Sequence, residues 1–180
     1  IYGLMGAGRS ELFECIMGRH EHSTGRIFVE GAELKGRDTT RRIREGLSLI
    51  PEDRQREGLV QSMSIADNLS MASLGQFLKA GFHIDLKRER QAIAEAIRNL
   101  SIKAKNPDLD VTSMSGGNQQ KVVIGKALMT GPKVLLMDEP SRGIDVGAKA
   151  DVFRTMRRLA GEGLAILFST SDLEEVMALS

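Results

Sequence analysis

Two adjacent carboxylates, Asp138 and Glu139, follow the apolar run Val134-Leu135-Leu136-Met137. Such a run predicts a strand buried on both faces of a parallel sheet. Open α/β sheets place their chemistry at the carboxyl ends of their strands, where these two carboxylates stand. Asp138 is suited to hold Mg²⁺ through water, and Glu139 to orient or deprotonate an attacking water.

Two further stretches are suited to bind phosphate. Residues 3–10 read G-L-M-G-A-G-R-S. The phosphate-loop pattern is G-x-x-x-x-G-K-[ST], and the only departure is Arg9 in place of lysine. Gly3, Gly6, Ala7 and Gly8 allow a tight loop whose N–H groups surround phosphate oxygens. Ser10 can offer its hydroxyl to Mg²⁺, and Glu11 adds negative charge beside the site. The second stretch is Ser115-Gly116-Gly117-Asn118-Gln119-Gln120-Lys121, placed before an apolar helical run at 122–129. N–H groups at a helix start attract anions, and glycine permits close approach. After Pro140 comes a short loop, Ser141-Arg142-Gly143-Ile144-Asp145.

These pieces need a folded frame. The chain has 180 residues, 41% hydrophobic and 27% charged, which suits a globular domain of ordinary size. Its 25 basic and 24 acidic residues leave a net charge of +1, which gives no electrostatic case for nucleic acid. The single cysteine, Cys15, excludes an intrachain disulfide and reads as a packing residue. No apolar run approaches the ~20 residues that span a bilayer, so membrane association is expected to be peripheral.

Helices are expected at 11–17, 39–45, 64–74, 85–100 and 148–160, and buried strands at 47–50, 134–137 and 164–168. Residues 24–35 alternate as a strand and turn, and 75–82 read as a hinge-like loop. Arg41, Arg42 and Arg44 are expected on a solvated helix face. Met63 and Met71 read as core residues, and His20, His22 and His83 as surface residues.

The order Ser115-Gly116-Gly117-Asn118-Gln119, then Asp138-Glu139-Pro140, then Ser141 to Asp145 closely resembles the ATPase domain of ABC transporters. It matches that family's signature, its Walker B strand and its D-loop. The wording S-G-G-N-Q-Q-K with D-E-P-S-R-G-I-D-V-G-A-K resembles the second nucleotide-binding half of tandem ribose- and galactose-type sugar importer ATPases. The resemblance implies an α/β P-loop NTPase fold, with a mostly parallel sheet flanked by helices and an inserted helical subdomain, truncated at its N-terminus. Residues 1–57 and 113–180 are then the ATP-binding core, and 58–112 the helical subdomain that docks on a permease. The chain is read as a fragment of a longer protein.

The resemblance also implies ligands and partners. ATP and Mg²⁺ are bound, with Ser10 and Asp138 on the metal. Gly3, Gly6, Ala7, Gly8, Arg9, Ser10 and Glu11 line this half's own nucleotide. Ser115, Gly116, Gly117, Asn118 and Gln119 face the partner half's nucleotide, and Asp145 is a further nucleotide-binding residue. The implied partners are the other ATPase half, a membrane permease and, indirectly, a sugar-binding protein, but no nucleic acid. The implied location is the cytoplasmic face of the bacterial inner membrane.

Three positions depart from the family on the γ-phosphate side. Arg9 replaces the loop lysine, Glu52 in Pro51-Glu52-Asp53-Arg54 replaces a glutamine, and Ser171 replaces the switch histidine before D-L-x-E. Ser171 also fits a helix N-cap, with Glu174 completing a capping box. Catalysis would involve Glu139, Glu52 and Ser171. The departures imply a weakened site in this half beside an intact signature that serves the partner. The alternative is a regulatory half that holds ATP without turnover.

Overall fold

The computed structural model describes residues 1–4, 6–20, 22–35, 38–79 and 83–179. After the phosphate loop come α1 (Arg9–Ile16) and a small hairpin, β1 (Phe28–Val29) with β2 (Ala32–Glu33). Next are α2 (Thr39–Arg44), β3 (Leu47–Ile50) and α3 (Ile65–Ser70). A second hairpin, β4 (Leu78–Lys79) with β5 (His83–Ile84), precedes α4 (Leu86–Asn99) and α5 (Gly116–Leu128). The chain closes with β6 (Val134–Asp138), α6 (Val146–Gly161), β7 (Ala165–Ser169) and α7 (Leu173–Leu179).

The main sheet has the order β3-β6-β7, all parallel, with Ile50 beside Met137 and Met137 beside Phe168. The first residues of the chain extend it. Tyr2 forms a parallel bridge with Thr170, the Ile1 amine donates to the Phe168 carbonyl at 2.7 Å, and the Thr170 N–H donates to the Ile1 carbonyl at 3.0 Å. The phosphate loop therefore leaves the sheet on the far side of β7 from β6.

Burial on both faces explains the unbroken apolar run of β6. Successive side chains of a strand point to opposite faces. Leu136 joins Phe13, Met17 and Leu47 under α1. Leu135 and Met137 join Val122, Ile124, Val152 and Met156 under α5 and α6. The same apolar cluster takes in Ile65, Leu69, Ile93 and Leu100 of the helical insertion. Asn68, fully buried, ties the preceding loop to α3 by accepting from the Val60 N–H at 2.8 Å and donating to the Val60 carbonyl at 3.0 Å.

Helix α5 approaches the insertion closely at Gly125. A Cβ there would lie 2.6 Å from Leu69 Cδ2 and 3.1 Å from Leu100 Cδ1. Overpacking a close-packed contact costs about 1–3 kcal/mol. Gly125→Val should therefore lower the unfolding free energy by that amount, read from urea titration; an unchanged midpoint would contradict this packing.

Several expectations are corrected. Helix α5 starts at Gly116, with Ser115 at its N-cap position, so the glycine tract forms the first turns of the helix expected from 122. Helix α1 starts at Arg9, because Gly8 adopts the left-handed conformation that ends the loop. The helix expected over 64–74 is α-helical only at Ile65–Ser70, and a 3-10 segment, Met71–Phe77, follows. That segment and β4 replace the first part of the expected hinge loop; residues 80–82 lie outside the described ones. Arg42 is buried and its guanidinium donates to the Leu34 carbonyl at 3.4 Å, so it is not on a solvated face. Met63 is exposed. His20, His22 and His83 are exposed, as expected.

Candidate nucleotide site

The loop over 3–10 turns through Gly6 at φ 80° and Gly8 at φ 79°, values a side chain rarely tolerates. Within it the Ala7 N–H donates to the Leu4 carbonyl at 3.2 Å. Gly8 then opens α1, and Arg9 and Ser10 occupy its first turn, where N–H groups lack helical partners. Glu11 is exposed on the same turn.

The carboxylate pair at the end of β6 meets this loop. Asp138 is buried, and one of its oxygens accepts from the Ser169 hydroxyl on β7. Glu139 takes a left-handed backbone, φ 44°, strained for a residue with a side chain. Its N–H donates to the Ser169 carbonyl at 3.1 Å, and its carbonyl accepts from the Arg142 N–H at 3.0 Å. The turn brings the Glu139 carboxylate to Arg9, with Nη1 and Oε1 2.8 Å apart and both side chains only 10% exposed. The residue that departs from the phosphate-loop pattern is thus paired with the candidate base.

Glu52 forms a second junction. One oxygen accepts from the Ser10 hydroxyl at 3.4 Å, and the other pairs with the Arg142 guanidinium. Two residues on, Arg54 donates to the carbonyls of Arg142 at 2.6 Å and Gly143 at 2.9 Å. Burial lowers the Arg54 pKa, with Asp53 opposing the shift. Neither Arg54 nor Arg142 was singled out from the sequence, since a lone arginine in a charged loop carries no spacing signal.

The signature lies apart from this cluster. Among the described residues, no hydrogen bond or ion pair joins 3–10 to 115–119. Ser115 is exposed, and its hydroxyl accepts from Asn118 Nδ2 at 3.1 Å without capping α5. Asn118 Oδ1 accepts from the Lys103 N–H at 2.9 Å. Gln119 is buried and donates to the Val111 carbonyl at 3.3 Å, so its amide faces inward. Asp145 caps α6 by accepting from the Ala148 N–H at 2.9 Å. Gly117 is in contact with that helix: a Cβ there would come within 2.4 Å of Ala148 Cβ.

The switch position departs from expectation in one respect. Ser171 is exposed, and it is Asp172 that turns its side chain back to the start of α7, accepting from the Glu174 N–H at 2.9 Å. Glu175, which is buried, accepts from Thr170 Oγ1 at 2.7 Å and from the Ser141 hydroxyl, and pairs with Lys149 Nζ at 2.7 Å. Lys149 also meets Asp172 at 2.8 Å. These bonds raise the Lys149 pKa, Asp172 contributing first and Glu175 second, and the Lys149 hydrogen bond lowers that of Asp172.

The signs define a pH window. Asp172 contributes stability above the ordinary aspartate value of about 3.9 and loses it as pH falls through its depressed value. Lys149 contributes fully below about 10.4 and loses it as pH rises through its raised value. The melting temperature should lose this contribution on both flanks, and Lys149→Met should flatten the alkaline limb. An alkaline limb unchanged by Lys149→Met would contradict this.

Comparison with known proteins places the fold. The family described as "ABC transporter" matches residues 1–142. The chain belongs to the ABC transporter family. Its whole length is 42% identical to the ribose import ATP-binding protein of Geobacillus kaustophilus, of which it covers 36%. It is 37% identical over 181 residues to the xylose import ATP-binding protein of Escherichia coli K12, covering 35% of it. The chain thus spans about a third of the length of these relatives. Among solved structures, a nucleotide-free ATP-binding cassette from an ABC transporter superposes with a TM-score of 0.81 at 23% identity, covering 99% of this chain and 72% of that one. A dimeric cassette in a post-hydrolysis state with ADP and Pi gives 0.79 at 18% identity, covering 96% of this chain and 74% of that one. As an ABC cassette, the chain has the P-loop NTPase fold: a parallel sheet flanked by helices, with a helical insertion.

Proposed function

We propose that this ABC cassette is one half of the ATPase of a bacterial importer for a sugar or polyol, with a weakened site of its own and a signature that acts on the partner half's ATP. The likeness to ribose and xylose import proteins over the full length of the chain supports the transport reading. The Arg9–Glu139 ion pair carries the reading of the site. Arg9 has two anions to serve. If it stays on Glu139, the transferred phosphate lacks its loop cation and the base is held by a guanidinium. If it turns to the phosphate, a mostly buried Glu139 loses its partner, which is costly. While the pair holds, both the loop cation and the base are withheld from phosphoryl transfer, a reaction that depends on positioning and charge.

The oxygen donors of Ser10 and Asp138 suit Mg²⁺, which binds through one or two carboxylates plus substrate phosphates. When bound, the metal would neutralise charge on the phosphates. Ser10 and Asp138 would hold it, and Glu52 and Ser171 would stand on the γ-phosphate side. Ser115 and the first N–H groups of α5 would face the partner's nucleotide, with Asp145 at the edge of that face.

Residues 58–112 are the proposed permease-docking subdomain. A cleft of about 240 Å³ bordered by Met17, Ile43, Leu49, Met71 and Lys126 lies beside it and supports that role. Co-purification of the full-length protein with a membrane permease tests the reading. ATP turnover of that complex should rise when a sugar-loaded binding protein is added; indifference would contradict it. The Arg9–Glu139 pair also favours a second reading, in which this half binds ATP to close the dimer and never turns it over.

A further inference from the structure

We infer that Arg54 is a positioning residue for ATP turnover between the two halves: its guanidinium holds the 141–145 loop and the first turn of α5 as one face. The inference rests on the proposal that this face meets the partner's nucleotide.

The geometry is a two-point fork. Nη1 donates to the Arg142 carbonyl at 2.6 Å and Nη2 to the Gly143 carbonyl at 2.9 Å. Gly143 has φ 66°, so the chain turns there through a conformation that favours glycine. The same Nη2 lies against the signature. A Cβ built on Gly116 would stand 2.8 Å from Nη2 and 3.2 Å from the Gly143 carbonyl oxygen. The arginine, the loop carbonyl and the first helical residue of α5 thus meet at one point. Glu52 gives the loop a second tether through the Arg142 side chain. The 51–54 segment therefore grips the 142–143 loop by its backbone and by a side chain.

Electrostatics makes this placement informative. The start of a helix carries partial positive charge, and a cation beside it is unfavourable. Arg54 is partly desolvated there, and its Nε is buried without a hydrogen-bond partner among the described residues. Two carbonyls offset part of that cost. An anionic phosphate in front of α5 would offset more, and it would place the guanidinium within the field of the partner's nucleotide. Lysine cannot reproduce the role, because a single ammonium does not present a planar fork to two successive carbonyls.

The test uses the full-length protein with both halves. Arg54→Lys should lower kcat for ATP about tenfold or more, as losing one oriented charge-assisted contact does. KM and melting temperature should stay near wild type. Arg54→Ala should lose more, and millimolar guanidinium should restore part of its rate while leaving its melting temperature unchanged. Ser115→Ala, made in parallel, reports on the underlying reading. If it abolishes turnover while Arg54→Lys runs at the wild-type rate, the inference falls and the reading stands. If Ser115→Ala is itself silent, both fall. A slow Arg54→Lys that melts early and recovers on cooling also overturns the inference, since Arg54 would then be a packing residue only.

Discussion

Ser115→Ala in this half is expected to lower ATP turnover of the full-length protein by about 10²–10³-fold, the usual loss when one oriented donor to a transition-state oxygen is removed. Glu139→Gln in the same half should cost no more than a few fold. The contrast follows from what each side chain touches. The Ser115 hydroxyl is exposed at the start of α5 and contacts only Asn118 among the described residues. Glu139 is already paired with Arg9 behind the phosphate loop. Ser115→Ala is a cleaner probe of the signature than any substitution at Gly117. A side chain at Gly117 would collide with Ala148 and push α6 from α5, so its effect on packing would hide its effect on phosphate. Steady-state rates of the two variants decide the matter. Equal losses would contradict an asymmetric pair of sites.

Leu135→Ala is expected to destabilise the protein by about 2–5 kcal/mol, measured from its urea midpoint. Leu135 is fully buried on the central strand and belongs to the apolar cluster shared by α5, α6 and the helical insertion. The cavity would open where three elements meet, and none can close it without leaving another. Val146→Ala, by contrast, should change stability by less than about 0.5 kcal/mol, because Val146 is 86% exposed at the start of α6. A small loss at Leu135 would mean that β6 is not the packing centre described above.

Much of the frame was legible because its signals are local. The run Val134 to Met137 names a two-faced strand, and the turn into Glu139 follows from its end. The glycines of 3–10 mark a loop whose positive φ values at Gly6 and Gly8 only such residues accept readily. Local signals failed where the tertiary structure overrode them. Glycine is a poor helix former, so the helix is read from the apolar run at 122–129, with Ser115 to Lys121 before it. The helix nonetheless begins at Gly116, and Gly117 and Gly125 lie where a Cβ would crowd Ala148 and Leu69. Arginine reads as surface, yet Arg42 buries its stem and reaches a carbonyl of the β2 region. Ser171 looked like an N-cap, but Asp172 offers the stronger acceptor one residue closer to α7.

The candidate site was legible in its parts but not in their pairing. Arg9, Glu52 and Ser171 stand out as departures from a pattern. Nothing in the spacing says that Arg9 meets Glu139, or that Glu52 sits between Ser10 and Arg142. Those contacts join segments far apart in the chain, and only the parallel order of the sheet brings them together.

The most direct test of the central claim is a single-turnover count of ATP hydrolysed per full-length molecule, with both sites loaded and the product assigned to each half by crosslinking. An asymmetric pair predicts that one of the two ATP molecules becomes ADP, and that the one at the Arg9 loop of this half remains ATP. Two ADP per molecule, formed at equal rates, would mean that Arg9 and Glu139 make a working site and would contradict the account.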